Sequence, residues 1–185
     1  MKNNIFSLFI FSLLFTHISF SQEALKKGVY NLSGNILYSY SSQTYPGGSW
    51  DEFGFSIAPG INYFIMDNLM LGGNVSFYYE EIESSYNNNT IITKGINRRY
   101  GIGPTLRYYF SLPNISPFIG VEADYWKLVG SDADGKSFTG MIGINYFISN
   151  NAAIEPYLAY TISSYGTDDV KTFSLGFRMS YFILN

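Results

Sequence analysis

The sequence lacks cysteine altogether, and its 185 residues include a single histidine, His17. The absence of cysteine excludes a disulfide scaffold, a thiolate metal site and a thiol nucleophile. Charge is also scarce, because Asp, Glu, Lys and Arg make up 14% of the chain, against roughly 25% in an average soluble domain. The net charge of −3 provides no basic surface for nucleic acid, so no nucleic-acid partner is expected.

The chain is instead rich in aromatic residues and glycine. Tyr occurs 17 times, Phe 16 times and Gly 18 times, and aromatics account for 19% of all residues. Disordered segments are poor in aromatics, and coiled coils are dominated by Ala, Glu, Lys and Leu, so the composition excludes both classes. The length of 185 residues allows one domain or two small ones.

The one concentrated apolar run lies near the N-terminus, at residues 5–15. It follows Lys2 and precedes Ser19 and Ser21, which are small residues at positions −3 and −1 of a cut after Ser21. This order is typical of a secretory signal peptide. A transmembrane anchor is the alternative, but the run is shorter than the ~20 residues that a spanning helix needs. We therefore predict a signal peptide at residues 1–21 and one domain at residues 22–185, which contains no histidine.

Eight segments of the mature chain alternate between apolar and polar residues with a period of two. In the first segment, Tyr30, Leu32 and Ile36 fall on one face, whereas Asn31 and Ser33 fall on the other. Strict alternation predicts β-strands with one apolar and one polar face. The eight segments are residues 30–41, 53–63, 69–79, 99–110, 117–126, 138–146, 154–162 and 173–183.

The links between these segments alternate in length. Short links lie at residues 66–68, 111–116 and 149–151, and longer polar links lie at residues 42–52, 83–94, 127–136 and 163–169. Strands joined in this way form an up-and-down meander. We predict an all-β fold, an eight-stranded antiparallel up-and-down barrel. Four long loops lie at one end, and both termini and the short turns lie at the other.

Alternation alone does not separate a soluble barrel with an apolar lumen from a transmembrane barrel with a polar one. The polar face is built mostly of small residues, which suit a narrow interior, and the apolar face is too bulky for such a lumen. Aromatic residues flank the apolar face at both ends, as the two girdles of a transmembrane barrel do. They are Tyr63, Tyr108, Phe110, Tyr146 and Tyr181 near the short turns, and Tyr38, Tyr40, Phe53, Tyr79, Tyr125 and Tyr160 near the long loops. We therefore predict a transmembrane β-barrel surrounded by lipid.

Several charged residues within the strands share the parity of the polar face. They are Arg99, Arg107, Glu122, Asp124, Glu155 and Arg178. An unpaired buried charge is strongly destabilising, so we expect these side chains to pair as a lumen ion-pair network that fills the barrel. The alternative is that they line a proton or ion path, or a binding site.

Several segments resemble small outer-membrane β-barrel proteins of the OmpA/OmpX-like family, in the form common among Bacteroidota. They are residues 59–64 (Pro-Gly-Ile-Asn-Tyr-Phe), 67–72 (Asp-Asn-Leu-Met-Leu-Gly), 117–120 (Pro-Phe-Ile-Gly) and the terminal strand at 173–182. The resemblance implies a monomer in the outer membrane of a Gram-negative bacterium, inserted by the barrel assembly machinery. It also implies that this machinery recognises alternating hydrophobic residues in the last strand. Here these are Phe173, Leu175, Phe177, Met179 and Tyr181.

The missing histidine bears on function. A serine nucleophile needs an adjacent general base, and outer-membrane barrel enzymes as a class use a histidine as that base. Ser–Lys or paired-carboxylate chemistry stays open, but we expect no enzyme, no cofactor and no metal site. Residues 131–135 (Ser-Asp-Ala-Asp-Gly) lack the third carboxylate and the terminal glutamate of a calcium loop, so an ordinary hairpin loop is expected there.

Two function hypotheses follow. In the first, the barrel has a structural or surface-interaction role, and its four long extracellular loops leave room for an extracellular partner. In the second, it is a narrow pore or a transporter of small apolar molecules with a lateral exit.

Overall fold

A computed structural model describes residues 21–45, 48–86, 91–112, 115–165 and 168–184 of the chain. Nearly all of the predicted signal peptide, residues 1–20, lies outside this range, so its assignment stays a prediction. A four-residue helix, α1 (Ser21–Ala24), comes first. Within the described ranges, no helix is long and apolar enough to cross a membrane.

Eight strands follow α1. They are β1 (Tyr30–Tyr45), β2 (Gly48–Met66), β3 (Leu69–Tyr86), β4 (Ile91–Tyr109), β5 (Ser116–Leu128), β6 (Asp134–Phe147), β7 (Ala152–Tyr165) and β8 (Asp168–Ile183). Each strand pairs antiparallel with its neighbours in the chain, and β8 pairs with β1 to close the barrel. The predicted eight-stranded antiparallel up-and-down barrel is confirmed.

The prediction of four long loops is wrong. Apart from the turn at residues 129–133, every described residue of the four long polar links belongs to a strand. For example, Gly48 pairs with Tyr86, and Tyr86 pairs with Ile91. Strand pairing depends on backbone hydrogen bonds and continues in water, whereas the apolar alternation ends where both faces of a hairpin meet water. The long polar links are therefore extensions of the β-hairpins.

The outward face carries an apolar band, as β4 shows. On β4, the outward side chains from Tyr100 to Tyr108 are exposed and the residues between them are buried. Nine residues fit the 9–11 or so that a strand needs to cross a bilayer. Beyond this band, charged side chains occupy outward positions, as Glu81 and Glu83 on β3 and Lys94 on β4 show. The band therefore ends near Tyr100 on the hairpin side.

The hairpins rise to unequal heights. β4 pairs with β5 only between the Arg99–Leu128 pair and the short-turn end of the barrel. In contrast, β3 and β4 stay paired in the other direction as far as Tyr86 and Ile91. Strands β1 to β4 therefore continue past β5 as a four-stranded unit, made of residues 39–45, 48–54, 80–86 and 91–97. We call this unit the projecting sheet. Along residues 91–97, β4 has no strand partner on its β5 side among the described residues.

The closure between β1 and β8 is short. The two strands pair from Tyr30–Ile183 to Asn35–Arg178, which is six residue pairs. Above Asn35, β1 stays paired with β2, and β8 stays paired with β7, but the described residues of β1 and β8 no longer pair with each other. We call this unpaired stretch the seam.

The opposite end of the barrel is closed by the chain segment that precedes β1. Leu25 is 1% exposed, and its carbonyl accepts a 2.7 Å hydrogen bond from the backbone N–H of Asn68 in the β2–β3 turn. The backbone groups of Gly28 and Val29 bond at 3.0 Å to those of Phe64. Gly28 has a φ of 97°, a left-handed conformation that suits glycine. The segment therefore covers the short-turn end of the lumen.

Candidate functional site: the filled lumen

Apolar side chains fill the short-turn end of the lumen. Six inward residues there are at most 8% exposed: Phe64, Met70, Tyr109, Phe118, Phe147 and Phe182. The ring centre of Phe182 lies 5.3 Å from that of Phe147 and 6.3 Å from that of Phe64. The rings of Tyr109 and Phe118 are 5.4 Å apart. We call these six residues the lumen floor.

The lumen floor was not predicted from the sequence, because the aromatic residues were expected mostly on the lipid face and its rims. Strand parity would have found several of its members. Phe64 stands two positions after Asn62, and Phe182 stands two positions after Ser180, so each shares the inward face of a polar residue. At the short-turn ends of β2 and β8, two aromatic residues stand side by side, and the second of them, Phe64 or Phe182, points inwards.

A buried ionic layer lies directly above the floor. Glu155 is completely buried, and its Oε2 lies 3.2 Å from Nη1 of Arg107 and 3.7 Å from Nη1 of Arg178. Its Oε1 accepts hydrogen bonds from Ser180 Oγ at 2.8 Å and from the Tyr109 hydroxyl at 3.4 Å. One carboxylate on β7 thus joins two arginines, from β4 and β8, across the lumen.

The structure brings four of the six predicted lumen charges together. Arg178 extends the layer to Glu122, with 3.8 Å between Nη2 and Oε2. The other two lie apart from this layer. Arg99 pairs with Glu80 at 3.9 Å, and Asp124 makes no ion pair with any residue that the structure describes.

Arg99 lies at the outer end of the lumen between two aromatic rings. Its guanidinium carbon is 4.2 Å from the ring centre of Tyr78 and 5.4 Å from that of Trp126. Stacking of this kind stabilises a guanidinium group that stays partly hydrated. The Arg99 side chain is 33% exposed, so the lumen opens towards solvent at this level.

Amide side chains occupy the space between Arg99 and the ionic layer. Asn74 donates a 2.5 Å hydrogen bond to Glu122, and Asn35 donates a 3.0 Å hydrogen bond to the Tyr157 hydroxyl. Three buried oxygens at this level have no hydrogen-bond partner in the described part of the chain: Oδ1 of Asn35, Oδ1 of Asn74 and Oδ1 of Asp124. The middle of the lumen is therefore polar and incompletely satisfied.

Two glycines create the space for large inward rings. A Cβ at Gly176 would overlap the ring of Tyr157, and a Cβ at Gly143 would overlap the ring of Phe118. Each glycine stands beside the aromatic residue on the neighbouring strand, so the ring lies flat against the wall. Part of the high glycine content therefore serves lumen packing.

This arrangement closes the lumen at one end only. Phe64, Tyr109 and Glu155 are completely buried, so no water-sized space adjoins their side chains. Exposure rises from 2% at Arg107 to 33% at Arg99 along β4. Solvent therefore reaches the lumen from the hairpin end, down to the level of Arg99, above a packed floor and an ionic layer.

The residues predicted to form the assembly signal all point outwards. Phe173, Leu175, Phe177, Met179 and Tyr181 are between 53% and 69% exposed. They lie on the lipid-facing side of β8 and take no part in the lumen. Their recognition by the assembly machinery stays a prediction.

A closed antiparallel barrel with an outward apolar band and a polar interior defines an integral outer-membrane β-barrel protein. The model of the family described as "Outer membrane protein beta-barrel domain" matches residues 8–181. The chain belongs to this family, and it resides in the outer membrane of a Gram-negative bacterium. In such barrels the short turns face the periplasm, so the projecting sheet faces the outside.

Solved structures show the same fold. The outer membrane protein OprG from Pseudomonas aeruginosa is similar with a TM-score of 0.59 and 12% identity, over 88% of this chain and 99% of that one. Neisserial surface protein A is similar with a TM-score of 0.54 and 16% identity, over 84% of this chain and 97% of that one. No curated protein matches the sequence. At these identities the likeness concerns the fold alone.

Proposed function

We propose that this barrel is a non-enzymatic surface protein that binds an extracellular partner through its projecting sheet, while its filled lumen has a structural role. The observation that carries the proposal is the unequal height of the hairpins. Strands β1 to β4 extend past β5, and along residues 91–97 the β5 side of β4 has no strand partner among the described residues. An exposed strand edge of this kind offers a row of free backbone groups to an added strand.

The register shows which backbone groups are available. The carbonyl of Arg98 accepts a 2.8 Å hydrogen bond from the N–H of Val129, so Arg98 directs its backbone groups towards β5. Because this direction alternates along an antiparallel strand, Ile96 and Lys94 direct theirs to the same, unpaired side. Ile96 is 54% exposed. An extended segment of a partner protein fits this edge as a further strand.

The absence of a base supports the non-enzymatic part of the proposal. The single histidine, His17, lies in the predicted signal peptide. The lumen carboxylate Glu155 contacts two arginines, and Glu122 contacts one, which suits a structural role better than acid–base chemistry.

Proline substitutions test the edge. We expect Lys94→Pro combined with Ile96→Pro to weaken binding at least about 10-fold, because each proline removes a backbone donor on the free side only. The probes are extended peptides selected from a displayed random library on the detergent-solubilised protein. Their dissociation constants are then measured by fluorescence anisotropy.

The matched control keeps the donors and changes the side chains. Lys94→Ala combined with Ile96→Thr should retain binding within a small factor if backbone pairing dominates. An unheated gel shows whether both variants still fold in detergent. Selected peptides that bind the proline variant as tightly as the original protein would refute a role for this edge.

The seam favours a second candidate function, a transporter of small apolar molecules with a lateral exit. Within the apolar band, β1 at Ile36 and β8 at Phe177 no longer pair, and both side chains are more than half exposed. Backbone groups in lipid need partners, so an unpaired stretch there is a place where the wall can part.

A disulfide across the seam tests this candidate. Ile36 and Phe177 directly follow the last β1–β8 pair, and we therefore expect Ile36→Cys with Phe177→Cys to be joined by oxidation. If transport uses the seam, oxidation should reduce entry of a small apolar dye into proteoliposomes to the protein-free level, and a reductant should restore it. The single variant Ile36→Cys is the control. Dye entry that ignores the oxidation state excludes a lateral exit.

A further inference from the structure

Basic residues collect on one side of the barrel, at the outer edge of the apolar band. On four strands, the first outward residue beyond the aromatic nearest the hairpin end is basic. These residues are Arg98 on β4, Lys127 on β5, Lys136 on β6 and Lys171 on β8. The corresponding residues on β2 and β3 are acidic, namely Asp51 and Glu81. The outer edge of the band is therefore positive on one side of the barrel and negative on the other.

Three of these basic residues are neighbours in the sheet. In the register, Lys127 pairs with Tyr100, so it is the diagonal neighbour of Arg98. On its other side Lys127 pairs with Asp134, so it is also the diagonal neighbour of Lys136. Diagonal neighbours on one face are about 7–8 Å apart, within reach of long side chains. Arg98, Lys127 and Lys136 form no ion pair with any residue that the structure describes, so their charges are available to a ligand.

A surface cavity lies beside these basic residues. Its volume is about 440 Å³, and it is lined by Tyr100, Lys127 and the β5–β6 turn at residues 128–132. Small-ligand sites typically measure roughly 300–1,000 Å³, so the cavity has room for one small headgroup. The apolar band ends near Tyr100, where lipid headgroups meet a barrel. The cavity is therefore placed to receive the polar part of a lipid.

The residues that line the cavity offer three kinds of contact. The Lys127 ammonium attracts a phosphate, the Tyr100 ring presents an apolar face, and Asp132 adds a carboxylate that accepts hydrogen bonds. A phosphate alone would be repelled by Asp132 and by the nearby Asp134. A phosphorylated sugar can use all three kinds of contact, because its hydroxyl groups donate to a carboxylate and its ring packs on an aromatic face. The chemistry of the lining therefore favours a phosphorylated sugar.

We propose that this cavity, together with Arg98 and Lys136 beside it, binds the headgroup of a phosphorylated glycolipid in the outer leaflet of the membrane. The position of the charges favours a lipid over a soluble polyanion, because they stand at the edge of the apolar band. Lys94, farther out on the projecting sheet, is instead paired with Glu83 at 2.8 Å. The acyl chains lie along exposed outward residues below the cavity, such as Ile102. The proposal is independent of any partner at the projecting sheet.

Binding of fluorescently labelled lipid A tests the site. The protein in a non-ionic detergent is titrated into mixed micelles that contain the labelled lipid and EDTA, and anisotropy gives the dissociation constant. Lys127→Gln combined with Lys136→Gln should weaken binding about 10-fold, because it removes two charges at headgroup level. Lys26→Gln combined with Lys27→Gln is the matched control. It removes two exposed charges at the short-turn end, where the Lys27 N–H bonds to Asp67, and should leave the dissociation constant unchanged.

Two further measurements separate the phosphate from the sugar. Lipid A without its phosphates should bind the original protein about 10-fold more weakly than intact lipid A. Asp132→Ala should also weaken the binding of intact lipid A, because it removes the acceptor for the sugar hydroxyl groups. A surface that recognised negative charge alone would instead bind more tightly after this substitution. An unheated gel shows that each variant is folded before its binding is measured.

Three results would overturn the proposal. The first is an equal dissociation constant for the two double-lysine variants. The second is lipid A binding that is unchanged when the phosphates are removed, or that tightens in Asp132→Ala. The third is displacement of labelled lipid A by heparin, a soluble sulfated polysaccharide, at lower concentrations than unlabelled lipid A requires. That result would assign the basic residues to an extracellular polymer.

Discussion

Replacing Glu155 with leucine is expected to destabilise the folded barrel by about 3–5 kcal/mol. Glu155 is completely buried and contacts both Arg107 and Arg178. Its loss leaves the Arg107 guanidinium in a closed space without its carboxylate, and that uncompensated charge is the source of the loss. The free energy of unfolding is measured by urea titration of the protein refolded in detergent micelles.

A second substitution separates the charge from the packing. Combining Glu155→Leu with Arg107→Leu should recover most of the lost stability, because an apolar pair of similar volume often replaces a buried ion pair without loss. Glu83→Gln is the surface control. Glu83 forms a 2.8 Å pair with Lys94 in the projecting sheet, where both side chains are well exposed, so little change is expected. A Glu155→Leu variant as stable as the original protein would show that the ionic layer does not hold the lumen together.

Phe182→Ala is expected to cost a similar amount, about 3–5 kcal/mol, through a different mechanism. The Phe182 ring is completely buried in the lumen floor, beside Phe147 and Phe64. Its removal leaves a cavity that the rigid barrel wall cannot collapse to fill. The Phe182 backbone keeps its bonds to Asn151, at 2.6 Å and 2.9 Å, so the loss reports on the ring.

The neighbouring residue provides a matched control. Tyr181 precedes Phe182 in the same strand but points outwards and is 53% exposed. Tyr181→Ala should therefore lose much less stability in micelles, where detergent fills the space. Equal losses for the two variants would mean that the lumen floor is not a packed core. Refolding from urea measures both without the cellular assembly machinery.

The eight strands and their two faces were predictable because the membrane imposes them. A strand alternates its side chains with a period of two, and a lipid band on one side makes that period visible in the sequence from Tyr100 to Tyr108. Where the hairpins leave the membrane, as at Lys94, both faces meet water and the pattern ends. The apolar pattern therefore ends at the edge of the band on each strand, and the extensions beyond it were predicted to be loops.

The sequence pattern predicts which charged residues face the lumen, but it does not predict which of them pair with each other. Parity alone assigned Arg107, Glu155 and Arg178 to the lumen, and the structure also places them there. It did not indicate that Arg99 lies with Glu80, which is a neighbour only through the β3–β4 register. Nor did it reveal that the second aromatic at several short-turn ends points inwards.

The number of strands, their order and the residues on each face can be predicted from the amino-acid pattern, since they depend on local alternation and on the lengths of the links. Which charges meet, how far each hairpin rises and where the wall is unpaired depend on the three-dimensional arrangement of all eight strands. Arg107 and Glu155 are 48 residues apart and meet across the lumen. Their contact depends on the stagger between all the intervening strands, which closure of the barrel fixes as a whole.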